Sequence, residues 1–205
     1  MGMETRPEEL SARARICRAA LRSFAERGFA STSIRGVAAE AGVSPGLVQH
    51  YFRTKRDLAA AVEELAIARL GEVIAAVPVS GEPDDVAGAI SAAVGAFALA
   101  NPDVIAYARR SVLEAGSFGD TVVRTVASLA SALTGRLEAA GMLRDDVDPT
   151  WVRAGALVIA TGPYLLEPWL AEVAGRPVMS AEFMEGWGAL WAGIVSRGIL
   201  RPGAS

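Results

Sequence analysis

The chain has 205 residues, 52% of them hydrophobic, which is enough to bury a real core and favours one small domain plus one larger domain. Cys17 is the single cysteine, which excludes an intrachain disulfide, and without a signal-like start we expect a cytoplasmic protein. His50 is the only histidine, so histidine-rich metal sites are excluded, and we expect no metal, no cofactor and no catalytic residue.

The first predicted helix runs from about residue 8 to residue 27. Its apolar face is formed by residues at helical spacing, Ile16, Ala19, Ala20, Ser23 and Phe24. Gly28 follows as a helix-ending glycine. We expect this helix to pack behind the segment that comes next.

Residues 32–55, TSIRGVAAEAGVSPGLVQHYFRTK, predict two short helices separated by a glycine turn. Three residues of the first helix can pack inward, namely Ile34, Val37 and Ala38. Gly42 is positioned to end that helix. Ser44 is a favourable N-cap for the second helix, and Pro45 fits its first position. The pattern is that of a helix-turn-helix, which reads DNA.

The second of these helices carries the candidates for base recognition. Val48 and Phe52 lie four residues apart and define its buried face. Gln49 on the remaining surface can form a paired hydrogen bond with adenine, and Leu47 can contact a thymine methyl group. The other candidates on this surface are Pro45 and Gly46, which allow close approach to the groove, and His50.

A second group of side chains is suited to the DNA backbone. These candidates for phosphate contact are Thr32, Ser33, Arg35, Ser44, Tyr51 and Lys55. Thr32 and Ser33 are equally explained as N-caps without a phosphate contact. Tyr51 also fits the core or a base, and we favour phosphate.

Charge is distributed unevenly along the chain, whose formal net charge is −3. Residues 1–56 hold ten Arg or Lys against five Asp or Glu, and the remainder holds ten against eighteen. The two parts therefore carry +5 and −8, which indicates a polyanion partner at one end. Mixed charge on solvated helix faces explains the same counts without any partner.

The remainder of the chain predicts helices throughout, and with the first three we expect about nine in all. A long connecting helix covers residues 57–77, and Pro78, Gly81 and Pro83 end it. The most apolar run, residues 154–166, is shorter than the roughly 20 residues that span a membrane, so we expect no membrane association. We therefore predict an all-α fold with a helix-turn-helix domain at residues 1–56 and a ligand-binding and dimerisation domain at residues 57–205.

Residues 16–58 resemble the N-terminal domain of TetR-family transcriptional regulators of the TetR/AcrR type. The resemblance rests on ALRSFAERGF, on TSIRGVAAEAGVS, and on YF followed by TK. It implies a three-helix DNA-binding domain, a helical ligand and dimer domain, and repression relieved by a small molecule. Gln49 stands where many members carry tyrosine, and Leu47 where threonine is frequent, so no relative's operator sequence can be assumed.

The resemblance also implies that the last two helices pair with their copies in a homodimer, which would read a near-palindromic double-stranded operator. Large apolar side chains in these helices favour such an interface. The candidates are Leu157, Trp169, Phe183, Trp187, Leu190, Trp191 and Ile194. An alternative interpretation places some of the tryptophans in a ligand pocket, and Trp151 fits either.

The middle helices offer candidates for a pocket that binds a small, largely apolar effector. They are Phe97, Tyr107, Arg110, Glu114, Phe118, Trp151 and Tyr164. Arg110 and Glu114 are four residues apart, and a surface ion pair is the stronger interpretation for them. A ligand would act by moving the connecting helix. Two other functions remain as alternatives, namely an all-helical enzyme or small-molecule carrier and a non-specific architectural DNA-binding protein.

Overall fold

The computed structural model describes residues 7–114 and 117–202, with side chains at residues 12–114 and 119–202. Within these residues it contains ten α-helices and a single antiparallel bridge, between Leu143 and Leu200. The helices are α1 (Pro7–Ser31), α2 (Ile34–Ala41), α3 (Pro45–Tyr51), α4 (Lys55–Ala76), α5 (Pro83–Ala100), α6 (Pro102–Leu113), α7 (Ser117–Ala139), α8 (Pro149–Leu165), α9 (Glu167–Ala174) and α10 (Ala181–Gly198). The all-α prediction is confirmed.

The first three helices pack around one apolar cluster, to which the start of α4 also contributes. Fully buried side chains of this cluster include Ile16, Phe24, Val37, Val48 and Leu58. Helix α1 is interrupted at Gly28, whose backbone angles of φ 80° and ψ 164° are accessible essentially only to glycine. The predicted end of the first helix is therefore a break, after which the chain continues helically to Ser31.

The C-terminal helices form a larger body in which α5 packs mainly against α10. Helix α5 is apolar enough, with a mean hydropathy of 1.2, to cross a membrane by length and composition alone. In this fold Val86, Ala87, Phe97 and Ala98 of α5 are buried against neighbouring helices. Only 22% of α5 is buried, and its other residues are half-buried or exposed.

The segment after α8 forms a helix of its own, where the sequence predicted a single helix. Helix α8 ends at Leu165, and α9 begins at Glu167, which makes one helix more than expected. Pro168 has no amide hydrogen to donate to the carbonyl four residues before it, so continuous helical hydrogen bonding stops here. Gly175 in the left-handed conformation ends α9.

Candidate DNA interface and internal cavity

The packing of α2 on α1 depends on Glu40. Its carboxylate accepts hydrogen bonds from Arg22 Nε at 2.9 Å, from Ser23 Oγ at 2.9 Å and from Arg27 Nη2 at 3.3 Å. Burial alone would raise the pKa of the Glu40 carboxyl, but these hydrogen bonds outweigh it and lower the pKa. Glu40 thus remains charged and holds α2 against α1.

Two serine caps set the directions of α2 and α3. Ser33 Oγ accepts the Gly36 amide hydrogen at 3.0 Å, and Ser44 Oγ accepts that of Leu47 at 3.2 Å. Gly42, with φ 66° and ψ 40°, provides the left-handed residue that turns the chain between the two helices. Both hydroxyls are therefore used as N-caps in this structure, and both serines are also exposed.

Helix α3 presents a solvent-facing surface composed of several of the predicted base-reading residues. Its exposed residues are Pro45, Gly46, Gln49 and His50, while Leu47 is half-buried. Val48 is fully buried beneath them, and Phe52 just after the helix is 4% exposed. Tyr51 is half-buried and packs against the N-terminal cluster, 5.5 Å from His50 between ring centroids.

Two of the predicted phosphate contacts are directed into the fold instead. Thr32 is buried, and its hydroxyl donates to the carbonyls of Gly28 at 2.8 Å and Ser23 at 3.1 Å. Its hydroxyl is therefore not available to a phosphate, and that interpretation is wrong. Among the predicted phosphate contacts, Arg35 and Ser33 are exposed at the start of α2.

Lys55 closes the N-terminal domain rather than projecting freely into solvent. Its ammonium donates to the carbonyls of Phe29 at 2.7 Å, Thr32 at 2.9 Å and Ala30 at 3.2 Å. The same group lies 4.5 Å from the centroid of the Phe29 ring. Since these carbonyls end α1, Lys55 acts as a C-terminal cap supplied by α4. This arrangement contradicts the prediction of a free phosphate-binding cation.

A cavity of about 280 Å³ lies inside the C-terminal body. It is lined by residues of α4, α5, α6, α7, α8 and α10, most of them apolar. Its volume lies near the lower end of the range, about 300 to 1,000 Å³, that small-molecule sites occupy. Of the predicted pocket residues, Phe97, Tyr107 and Tyr164 line this cavity.

A small number of polar groups interrupt the apolar wall. The Tyr107 hydroxyl donates to Glu63 Oε1 at 2.8 Å, and burial raises the pKa of the Glu63 carboxyl. Burial also raises the pKa of Tyr164 to about 12, which keeps its hydroxyl protonated. Arg109 of α6 forms an ion pair with Glu167 at the start of α9.

Comparison with known proteins identifies the N-terminal domain. Residues 16–62 match the model for bacterial regulatory proteins of the tetR family. The N-terminal domain of this chain is therefore a TetR-family DNA-binding domain. The members of that family found by similarity are transcriptional regulators rather than enzymes, which agrees with the prediction of a regulator.

One curated relative of this chain is the HTH-type transcriptional regulator AcrR of Shigella flexneri, 36% identical over 73 residues. That alignment covers 36% of this chain and 34% of the relative, so it spans about a third of the relative's length. Two solved structures have a similar fold over nearly the whole of this chain. A transcriptional regulator from Streptomyces coelicolor is 25% identical over 93% of this chain and 99% of its own, with a TM-score of 0.66. A TetR regulator from Chloroflexus aurantiacus J-10-FL is 18% identical over 95% and 99%, with a TM-score of 0.70.

Several predicted pocket residues of this chain lie outside the main cavity. Arg110 Nε pairs with Glu114 at 2.7 Å, and Arg110 Nη1 donates to the carbonyls of Ala25 and Glu26 in α1. These two residues therefore join α6 to α1 and do not line the cavity wall, because they lie on the opposite face of α6. Trp151 is 74% exposed and also lies away from the cavity. The side chain of Phe118 lies outside the described residues.

The predicted dimer residues separate into two groups. Phe183 is buried in a core cluster and stacks on Trp187, while Trp187 and Trp191 line the cavity. The two tryptophans thus agree with the alternative interpretation of a ligand pocket, and an interface at these residues stays a prediction. Leu157 is half-buried. The exposed members are Trp169, Leu190 and Ile194.

Three residues that organise the cavity region were not predicted from the sequence. Glu63 and Arg109 bring charge into the cavity wall, and Arg136 of α7 donates to the carbonyls of Ile74 at 2.8 Å and Val77 at 2.6 Å. A charged residue within an otherwise apolar stripe is the signal that identifies Glu63 in retrospect. Arg109 and Arg136 carry no such signal, because their partners lie 58 to 62 residues away.

Proposed function

We propose that this chain is a homodimeric TetR-family regulator that binds a near-palindromic DNA operator and represses transcription. A small apolar effector in the internal cavity releases it. The observation that carries the proposal is the exposed surface of α3, held on a capped helix-turn-helix in a segment that matches the family. Gln49 and His50 lie on this surface, and the supporting helices leave it uncovered.

The DNA contacts divide into base and backbone roles in this proposal. Gln49 reads adenine and Leu47 contacts a thymine methyl group, with His50 as a further polar contact. Ser33, Arg35 and the amide groups at the start of α2 position the phosphate backbone. A dimer would place two α3 helices about one DNA turn apart or somewhat more, which is why the site would be near-palindromic.

Two exposed apolar rows support the homodimer. Trp151 and Val158 of α8, seven residues apart, are 74% and 67% exposed, and Leu190 and Ile194 of α10, four residues apart, are 55% and 43% exposed. Large apolar side chains that a monomer leaves in water mark an interaction surface. The proposed occupant of this surface is a second copy of the chain, in line with the two-fold symmetry of the operator.

Regulation requires that the cavity communicate with the DNA-binding domain, and Tyr107 offers a physical connection. Its ring lines the cavity and also belongs to the N-terminal apolar cluster, 6.0 Å from the Phe24 ring of α1. Its hydroxyl binds Glu63 of α4. A ligand that displaces Tyr107 would therefore shift α1 and α4 together. Effective release needs a coupling free energy of about 1 to 3 kcal/mol.

The test is selection of bound duplexes from random DNA by the full chain, followed by titration of the selected site at several salt concentrations. We expect one near-palindromic motif and an affinity that falls as salt rises. Recovery of unrelated sequences with equal affinity would instead indicate an architectural protein.

The matched variant is Gln49→Ala, which removes a side chain from the exposed surface without changing the core. We expect the loss of roughly 1 to 3 kcal/mol of binding free energy at one base position of each half-site. Arg53→Ala, just after α3, is the control and should leave the preferred base unchanged. Equal weakening by Gln49→Ala on every sequence would assign Gln49 to the backbone.

A further inference from the structure

The polar groups in the cavity wall define the chemistry of a ligand more closely than the apolar wall does. This inference rests on the proposed function, because it concerns the effector of the same regulator. The apolar wall, formed by side chains such as Ile67, Leu70 and Leu129, disfavours sugars, nucleotides and other polyhydroxylated molecules. The remaining question is which functional group an otherwise apolar ligand carries.

Hydrogen-bond donors without acceptors occur in this wall. Trp191 Nε1 and Arg109 Nε are buried and have no hydrogen-bond partner among the described residues. Both residues line the cavity, and both nitrogens can only donate. The hydroxyl of Tyr164 also lines the cavity and can donate, although it is not one of these buried unpaired atoms. Because a buried donor without an acceptor is unfavourable, these groups fit a ligand that brings acceptor atoms.

Charge in the same wall argues against an ionic ligand. Arg109 already has a carboxylate partner in Glu167, so a ligand carboxylate would add a second negative charge to a paired site. Glu63 brings a carboxyl group to the wall, and its oxygen already accepts a hydrogen bond from the Tyr107 hydroxyl. Burial raises the pKa of Glu63, which weakens its ability to hold a ligand cation.

We propose that the cavity binds a neutral, compact, apolar molecule that carries a carbonyl-type oxygen, and that Trp191 Nε1 donates to this oxygen. The indole is placed for this by its edge contact with Trp187, at 5.6 Å between ring centroids. Arg109 Nε and the Tyr164 hydroxyl provide further donors for a second acceptor. The ligand class is thus defined by an apolar skeleton with acceptors and few donors.

Four probes with one carbon skeleton test the functional group separately from shape. They are the hydrocarbon limonene, the ketone carvone, the carboxylate of perillic acid and the ammonium of perillylamine. Binding to the full chain is measured by equilibrium dialysis in sealed cells with quantification by gas chromatography. We expect carvone to bind about three- to tenfold more tightly than limonene, as one added hydrogen bond allows, and both ions to bind less tightly than carvone.

Two variants connect this preference to particular donors. Trp191→Phe keeps an aromatic ring but removes the N–H group, so carvone affinity should fall about three- to tenfold while limonene affinity is unchanged. Trp151→Phe is the matched control, because Trp151 is 74% exposed and does not line the cavity. Tyr164→Phe provides a second test of a donor, and thermal unfolding verifies that each variant folds.

The outcomes distinguish this inference from the proposed function. A ketone preference that disappears in Trp191→Phe but persists in Trp151→Phe supports the proposal. Tighter binding of either ion, equal binding of limonene and carvone, or no binding of any probe overturns it. Sequence-specific DNA binding is measured on the same preparations. The proposed regulatory function can therefore be supported even if the inferred ligand class is wrong.

Discussion

The ammonium group of Lys55 lies where the end of α1 meets the start of α4. It donates to three carbonyl oxygens within 3.2 Å, which the last turn of a helix otherwise leaves to solvent. A lysine after a DNA-reading helix suggests a phosphate contact. Here the ammonium group instead donates its hydrogen bonds to nearby backbone carbonyls. The Lys55 side chain is chemically suited both to a phosphate contact and to a helix cap, and in this structure it acts as the cap.

We predict that Lys55→Met lowers the free energy of unfolding by about 1 to 3 kcal/mol, because the helix end loses its charged donor. Urea denaturation measures this loss. The salt dependence of DNA binding should remain unchanged, since the ammonium does not neutralise a phosphate. A slope of log affinity against log salt reduced by about one, with stability unaffected, would restore the phosphate role.

The control for this variant is Arg53→Met. Arg53 is exposed and makes no hydrogen bond or ion pair with the described residues, so its loss should leave stability within about 0.5 kcal/mol of the unmodified chain.

At the scale of elements, α6 is the helix that joins the cavity to the DNA-binding domain. Tyr107 packs on Phe24, and Arg110 donates to two carbonyls just before the break of α1. Gly28 forms that break, and a β-carbon there would lie 2.8 Å from Glu114 Oε1 and 3.0 Å from Arg110 Nε. The absent side chain of Gly28 therefore makes room for the ion pair of α6.

We predict that Gly28→Ala destabilises the chain by about 1 to 3 kcal/mol, because it combines an unfavourable backbone conformation with displacement of the Arg110 and Glu114 side chains. The measurement is the midpoint and slope of urea unfolding. Displacement of the ion pair should also alter the response of DNA binding to any cavity ligand.

Gly42→Ala is the comparison for this prediction. Gly42 has φ 66°, but a β-carbon there has nothing within 4 Å, so only the backbone cost of about 1 kcal/mol applies. Equal losses in the two variants would mean that the contact with α6 is unimportant for stability.

At the scale of the whole molecule, the outer sides of α8, α9 and α10 expose apolar side chains while their inner sides line the cavity and core. Trp169 of α9 is 64% exposed, and Leu190 of α10 is 55% exposed. Trp187 and Trp191, on the inner side of α10, are placed for ligand contacts. Substitutions that test the proposed dimer are therefore placed at exposed residues such as Leu190 and Ile194.

We predict that Leu190→Glu raises the dimer dissociation constant at least about thirtyfold, because an unpaired carboxylate would be buried in the interface. Sedimentation velocity over a range of concentrations measures the change. Leu113→Glu is the matched control, since Leu113 of α6 is 61% exposed but lies on a different helix, and it should leave assembly unchanged. A dimer of unchanged strength in Leu190→Glu would place the interface elsewhere.

The local features of the helix-turn-helix could be read from the sequence because they depend on neighbours in the chain. Ser33 and Ser44 accept amide hydrogens three residues ahead, and Gly42 turns the chain where a left-handed residue is required. The apolar spacing that placed Val48 in the core is likewise a property of one helix. Such interactions are short in sequence, so residue type and order determine them.

The tertiary structure decided the features that depend on residues far apart in the chain. The contacts of Lys55 differ from expectation, while Arg110 and Trp191 follow the alternatives of an ion pair and a pocket wall. Helical periodicity tells which residues share a face, but not which neighbouring helix covers that face. Lys55 reaches carbonyls 23 to 26 residues away, and Arg110 reaches α1 across 84 to 85 residues. The sequence by itself thus determined the DNA-reading unit and the helical class. Only packing between distant helices decided which side chains line the cavity, which remain exposed, and which hold the two domains together.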